Sequence, residues 1–261
     1  MPARTLAALT VAWLCTSCSQ WDHPVNIPFV ASWKGQAIEC SSPNEALTDL
    51  RFYVSNVQLV DSEGRGHDVR FATEMAWQND AVAFIDLEDG LGACQNGTTE
   101  TFDHVLGVAK AGDYRGLRFT VGVPFRLNHA NPLTAKPPLD DPDMRWHRRS
   151  GYKFLRAGIR TEDDGFWLHA GSAGCEGTVD HVAECQFPNR IEVNIPDFVA
   201  GQDTVQIDLA ALTAGTDLAN QETSDCSSGL PETSCVAPFS ALGVDFPTGE
   251  KSGTQRVFSV E

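Results

Sequence analysis

Apolar and polar positions alternate along most of the chain with the two-residue period of half-buried strands, not the 3.6-residue period of helices. Residues 27–34 read as a first strand ended by Gly35, and residues 50–54 as a second. Residues 57–59 continue that second strand in the opposite phase, and the slip across Ser55 and Asn56 predicts a β-bulge. Further strands are predicted at 68–71, 82–87, 117–123, 152–159, 166–169, 190–195 and 204–209, with one helical turn at 210–213. The 152–159 and 166–169 strands are expected to form a hairpin around Thr161 to Gly165. Gly112 to Gly116 reads as a hairpin-type connection into the 117–123 strand. Many short strands divided by Gly, Pro and Asn turns imply an all-β chain, an antiparallel β-sandwich with long functional loops.

Three stretches depart from this pattern. Residues 128–150 hold Pro132, Pro137, Pro138 and Pro142, show no sustained period, and exceed the length a compact domain carries without a purpose, so they read as a functional loop. Residues near 215–236 are rich in Ser, Thr, Asp and Glu and read as a surface insertion on a single domain, 19–261. Residues 1–18 show one Arg, an apolar run from Leu6 to Leu14 and small residues around Cys15 and Cys18, the layout of a signal peptide. The ending Thr16-Ser17-Cys18 makes Cys18 a candidate lipidated residue. The expectation is an exported protein, either free in the periplasm or an outer-membrane lipoprotein held by that anchor alone.

Charge and cysteine usage narrow the picture. The 19 Lys and Arg against 35 Asp and Glu leave −16, which repels phosphate backbones, argues against a nucleic-acid partner and attracts cations. An exported chain with six cysteines beyond the leader is expected to form three disulfides rather than thiolate metal sites. Cys175–Cys185 and Cys226–Cys235 are the easiest closures, leaving Cys40–Cys94, a preference among many connectivities.

Candidate chemistry concentrates between Leu117 and Cys185. His23, His67, His104 and His181 lie in polar or turn contexts and read as ordinary surface or capping residues. His129 follows a predicted strand end in Asn128-His129-Ala130-Asn131-Pro132, and His169 closes Phe166-Trp167-Leu168-His169. Either alone reads as structural; together, flanking one long loop, they read as a metal pair, and imidazole suits copper or zinc. Trp167 and His169 share a strand face. Met144-Arg145-Trp146-His147-Arg148-Arg149 is a basic, aromatic patch in an acidic chain, either a docking spot for an acidic partner or a neutraliser of nearby aspartates. Asp140, Asp141 and Asp143, and Asp86, Glu88 and Asp89, do not match a calcium loop and read as solvated acids, with one structural calcium as the alternative. No nucleophile motif or zinc-protease motif is present, so no catalytic residue is assigned and an enzyme is not expected.

The ordered runs Leu50-Arg51-Phe52-Tyr53-Val54-Ser55-Asn56-Val57, Asp86-Leu87-Glu88-Asp89-Gly90 before Cys94, Gly116 to Pro124, Asn128 to Pro132, Pro137-Pro138-Leu139, Met144-x-Trp146, Gly151-Tyr152-Lys153-Phe154 and His169 to Cys175 resemble the MbnP family. These are the metallo-mystery pair four-cysteine proteins, and the likeness spans residues 27–213. It implies a periplasmic copper-binding protein that works with a dihaem, MauG- or MbnH-like cytochrome c peroxidase homologue. That partner oxidises a tryptophan to kynurenine, which joins histidines around the copper. Carried onto this chain, the resemblance implies His129 and His169 as ligands of one copper ion, as Cu(I), and Trp146 as the kynurenine precursor. Trp167 copies the Trp-x-His arrangement of a related methanotroph copper protein and is the second candidate. Arg148 stands where family members often carry another aromatic, a departure on the expected docking surface. The four family cysteines fall on Cys40, Cys94, Cys175 and Cys185, with Cys226 and Cys235 an addition. Kynurenine brings an amine and a ketone that indole lacks, and Asp141 or Asp143 is expected to orient the imidazoles. The alternative reading is a non-enzymatic envelope β-sandwich that binds glycan or protein through loop aromatics, stabilised by calcium.

Overall fold

The computed structural model describes residues 22–146, 149–162, 164–178, 181–220, 224–228 and 233–261. The expected signal peptide with Cys18, together with His147 and Arg148, lies outside the described residues. Two sheets face each other. One runs in the order Phe258–Val260, Val205–Asp208, Asp22–Trp33, His104–Lys110, Arg70–Phe71, with Gln36–Ala37 folded back on Asp22–Trp33. The other runs Ile191–Pro196, Tyr114–Val121, Ala46–Asp61, Lys153–Arg160, Gly165–Gly171, Asp225–Ser227, with Gly66–Asp68 and Val82–Asp86 also paired to Ala46–Asp61. Pairing is antiparallel except for Asp22–Trp33 with Val205–Asp208 and Gly165–Gly171 with Asp225–Ser227.

Alternation sends one side of each strand into the space between the sheets. Phe29 meets Phe52 edge-on at 5.5 Å, and Phe119 meets Phe258 at 5.7 Å, so the aromatic centre of the core bridges both sheets. The predicted bulge is present: the register of Ala46–Asp61 shifts between Ser55 and Gln58, and Asn56 takes φ 54. The extra residue resets the phase, so Leu50, Phe52 and Val54, then Val57 and Leu59, all reach the core. The three disulfides are the preferred pairs, Cys40–Cys94, Cys175–Cys185 and Cys226–Cys235. The first and third are buried.

Several elements differ from expectation. His104–Lys110 is a strand of the six-stranded sheet, whereas Tyr114–Val121 belongs to the other, so residues 111–113 cross between sheets instead of closing a hairpin. Ala173–Thr178 and His181–Phe187 form a two-stranded hairpin of their own. Asp225–Ser227, within the stretch read as an insertion, is an edge strand beside Gly165–Gly171, and Phe239 of the following helix Val236–Ala241 is fully buried.

The described part of the long loop has a core beneath it. Tyr53, Phe84, Tyr152 and Phe154 point away from the sandwich interior and cluster with Val123, Leu139 and Met144. The loop thereby roofs the outer face of the eight-stranded sheet, and polar residues on that face are buried.

Candidate metal centre

Along Gly165–Gly171, Phe166, Leu168 and Ala170 enter the core, which turns Trp167, His169 and Gly171 to the outer face. Strand register then sets one row across that face: Asp86 opposite Arg51, Arg51 opposite Arg156, Arg156 opposite His169, His169 opposite Ser227. The charges in this row are tied together. Asp49 accepts from Arg51 at 2.8 and 2.9 Å and forms an ion pair with Arg156 at 2.6 Å, and Glu88 lies 3.7 Å from Arg51. Burial, then the neighbouring Arg156 and Lys153 charges, hold the His169 pKa down to about 4, so its ring is neutral at physiological pH. Its Nε2 is buried, with no hydrogen-bond partner among the described residues.

Both candidate tryptophans meet the face of the strand that carries His169. The Trp167 ring is 6.4 Å from the His169 ring, and its indole lies against Gly158 on the adjacent strand, where a Cβ would come within 3.0 Å of it. Trp146, whose backbone N–H bonds the Gly151 carbonyl at 2.9 Å, reaches Gly171 two residues beyond His169. A Cβ on Gly171 would stand 2.9 Å from that indole and 2.6 Å from the Tyr152 carbonyl oxygen. The Gly171 backbone is fixed from below: its N–H bonds Ser228 Oγ at 3.0 Å, and its carbonyl accepts from Ser228 Oγ at 2.7 Å and Asn189 Nδ2 at 2.8 Å.

His129 arrives from the roof, at the end of the short helix Phe125–Asn128. Asn128 positions it. The Asn128 Oδ1 accepts the Tyr152 N–H at 2.8 Å, so the amide presents Nδ2 to His129 Nε2 at 3.1 Å. That Nε2 also lies 3.4 Å from Cys185 Sγ, and the ring packs on Phe125 at 4.6 Å. Burial lowers the His129 pKa, against a hydrogen bond to the Arg149 backbone that raises it. His129 and His169 both sit on the outer side of the eight-stranded sheet, linked through the 144–153 segment: Asn128 holds Tyr152, and Tyr152 and Trp146 abut Gly171. The two rings make no direct contact.

Other expected participants are engaged elsewhere. The Asp143 carbonyl accepts from Lys153 Nζ at 2.6 Å and from Arg156 at 3.2 Å, and Asp141 accepts the Asp143 N–H at 2.8 Å; among the described residues neither carboxylate bonds an imidazole. Glu88 accepts from the N–H groups of Gly90 and Thr98, and Asp89 from that of Leu91, so these acids shape their own loop. Asn128, Ser228, Asn189, Asp49 and Arg156 escaped sequence reading. Only Asn128, beside a candidate ligand, carried a signal that could have marked it.

A family model described as MbnP matches residues 22–228. Among solved structures, MbnP from Methylosinus trichosporium superposes with a TM-score of 0.78 at 26% identity, covering 92% of this chain and 98% of that one. The search of curated proteins gave no match.

Proposed function

The chain belongs to the MbnP family, and from that premise we propose that it is an exported copper-binding protein whose centre is completed by oxidation of a tryptophan. His129 and His169 are the resident ligands in this reading. Trp146 is the residue converted to kynurenine, with Trp167 second, and the oxidant is a dihaem, MauG-like partner. The observation that carries it is the neutral His169, whose buried Nε2 has no partner among the described residues, on a strand where Trp167 lies beside its ring and Trp146 reaches Gly171 two residues on. A buried nitrogen without a partner is costly unless something accepts its lone pair or proton, and a soft cation does so.

Copper, when bound, supplies a centre that takes few, neutral nitrogen donors as Cu(I). The chain's own residues do the rest. Burial keeps both imidazoles unprotonated, Asn128 fixes one ring, and Gly171 lets the Trp146 indole lie against the strand that carries the other. The Asp49, Glu88 and Asp143 carboxylates offset Arg51 and Arg156, so the neighbourhood does not repel a cation as strongly as two bare guanidiniums would.

Coexpression with a dihaem peroxidase-like partner, followed by peptide mapping and metal analysis, tests this. The expected result is a mass change equal to one carbon exchanged for one oxygen on Trp146 or Trp167, with one copper retained per chain. Equal copper binding by unmodified protein would refute the maturation step, and copper binding that survives His129→Ala with His169→Ala would refute the site.

A further inference from the structure

The Cys175–Cys185 disulfide differs from the other two. It joins directly opposed residues of a hairpin that pairs with neither main sheet, and both cysteines are half-exposed, whereas Cys40, Cys94, Cys226 and Cys235 are buried. The next cross-strand pair is Glu176 opposite Glu184, exposed like charges that disfavour pairing and attract cations. His129 Nε2 lies 3.4 Å from Cys185 Sγ, and one donor atom from each of His129, Cys175 and Cys185 lies within 4.8 Å of the other two.

We propose that this disulfide gates a second metal site: reduced, Cys175 and Cys185 with His129 form a two-sulfur, one-nitrogen set for a thiophilic cation of the Cu(I) or Zn(II) class. The reductant is a dithiol. It gives two electrons and two protons to the S–S bond and itself becomes a disulfide, leaving two thiols here. The incoming cation displaces both thiol protons to solvent and gains two thiolates, the ligand type soft metals prefer. His129 contributes its Nε2 lone pair, and the Asn128 amide that faced it keeps the Ser150 carbonyl, 3.4 Å away, as an acceptor. Because His129 is shared with the copper centre proposed above, the redox state of the hairpin decides which donor set holds that imidazole. The site itself needs neither kynurenine nor His169.

The full chain is reduced anaerobically with a dithiol, desalted, and mapped by alkylation to show which cysteines are free. Cd(II) alone is then titrated and the thiolate-to-cadmium absorption followed. One equivalent with that absorption is expected in reduced protein and none in oxidised protein. The signal is expected to vanish in Cys175→Ser with Cys185→Ser and to persist in His169→Ala, which removes the copper centre but not this site. His129→Ala should weaken binding roughly tenfold or more, the least that losing even a supporting group around a metal costs. The proposal is overturned if Cys175 and Cys185 resist reduction in the folded chain. It is equally overturned if they are free yet give no thiolate absorption, or if His129→Ala leaves the affinity unchanged.

Discussion

Asp49→Asn is the most informative single perturbation of the sheet face beneath the roof. Asp49, Arg51 and Arg156 have side chains 2%, 3% and 11% exposed, so the guanidiniums have little water to fall back on. The substitution keeps the shape and removes the charge that receives two hydrogen bonds from Arg51 and pairs with Arg156. Breaking a buried ion pair by removing one partner costs about 3–5 kcal/mol. Arg51 retains Glu88 at 3.7 Å and Asp143 at 4.0 Å, and Arg156 retains the Asp143 carbonyl at 3.2 Å, which places the loss at the low end, about 3 kcal/mol. Equilibrium urea unfolding of the oxidised protein reads this as a lowered midpoint with an unchanged slope. The loss should be nearly the same at low and high salt, because buried pairs are poorly screened. Copper affinity should also fall, since the row next to His169 becomes more positive. A loss below about 1 kcal/mol, or one that disappears in salt, is the signature of an exposed pair and would refute the burial of this network.

Gly171→Ala places a Cβ 2.6 Å from the Tyr152 carbonyl and 2.9 Å from the Trp146 ring; it should cost about 1–3 kcal/mol of stability and expose Trp146, seen as red-shifted fluorescence. His169 titrates at 6.5 when unfolded and about 4 when folded, so its share of stability is intact above pH 6.5 and lost as pH falls toward 4. That share is at most about 3 kcal/mol, and urea titrations across pH should show the slope flattened in His169→Gln. Asp86 runs the other way: burial, then Glu88, raise it from 3.8 to about 8, so its share is intact below 3.8 and lost as pH rises through 8, and the gain from Asp86→Asn should grow across that window and level off above it. Replacing Cys40 and Cys94 by Ala opens a 54-residue closure and should cost about 4 kcal/mol by chain entropy, against about 2.6 kcal/mol for Cys226 and Cys235, which close 9; unfolding midpoints rank the two.

What could be read from the sequence follows local chemistry. The bulge at Ser55–Asn56 was legible because a phase slip has few other causes, and Trp167 and His169 share a face because strand parity demands it. The pairing of Cys175 with Cys185 was legible from proximity along the chain. The His104–Lys110 strand was not, because Gly107 and mixed burial blur its alternation. Gly174 and Gly177, both at positive φ, made the 173–187 hairpin look like loop. Asp49, Arg51 and Arg156 occupy alternate strand positions, the pattern of a solvated face, and only the roof built by distant residues such as Leu139 and Met144 buries them. His129 and His169 were legible as candidates. The contact that Trp146 makes with Gly171 depends on tertiary placement that no local pattern encodes.

X-ray absorption at the copper edge, on protein coexpressed with its oxidising partner and loaded with one equivalent of Cu(I), examines the centre most directly. Scattering from two imidazoles is expected, falling to one in His129→Ala and in His169→Ala. A spectrum with no imidazole scattering, or one unchanged by either substitution, would contradict a histidine centre on this face of the sheet.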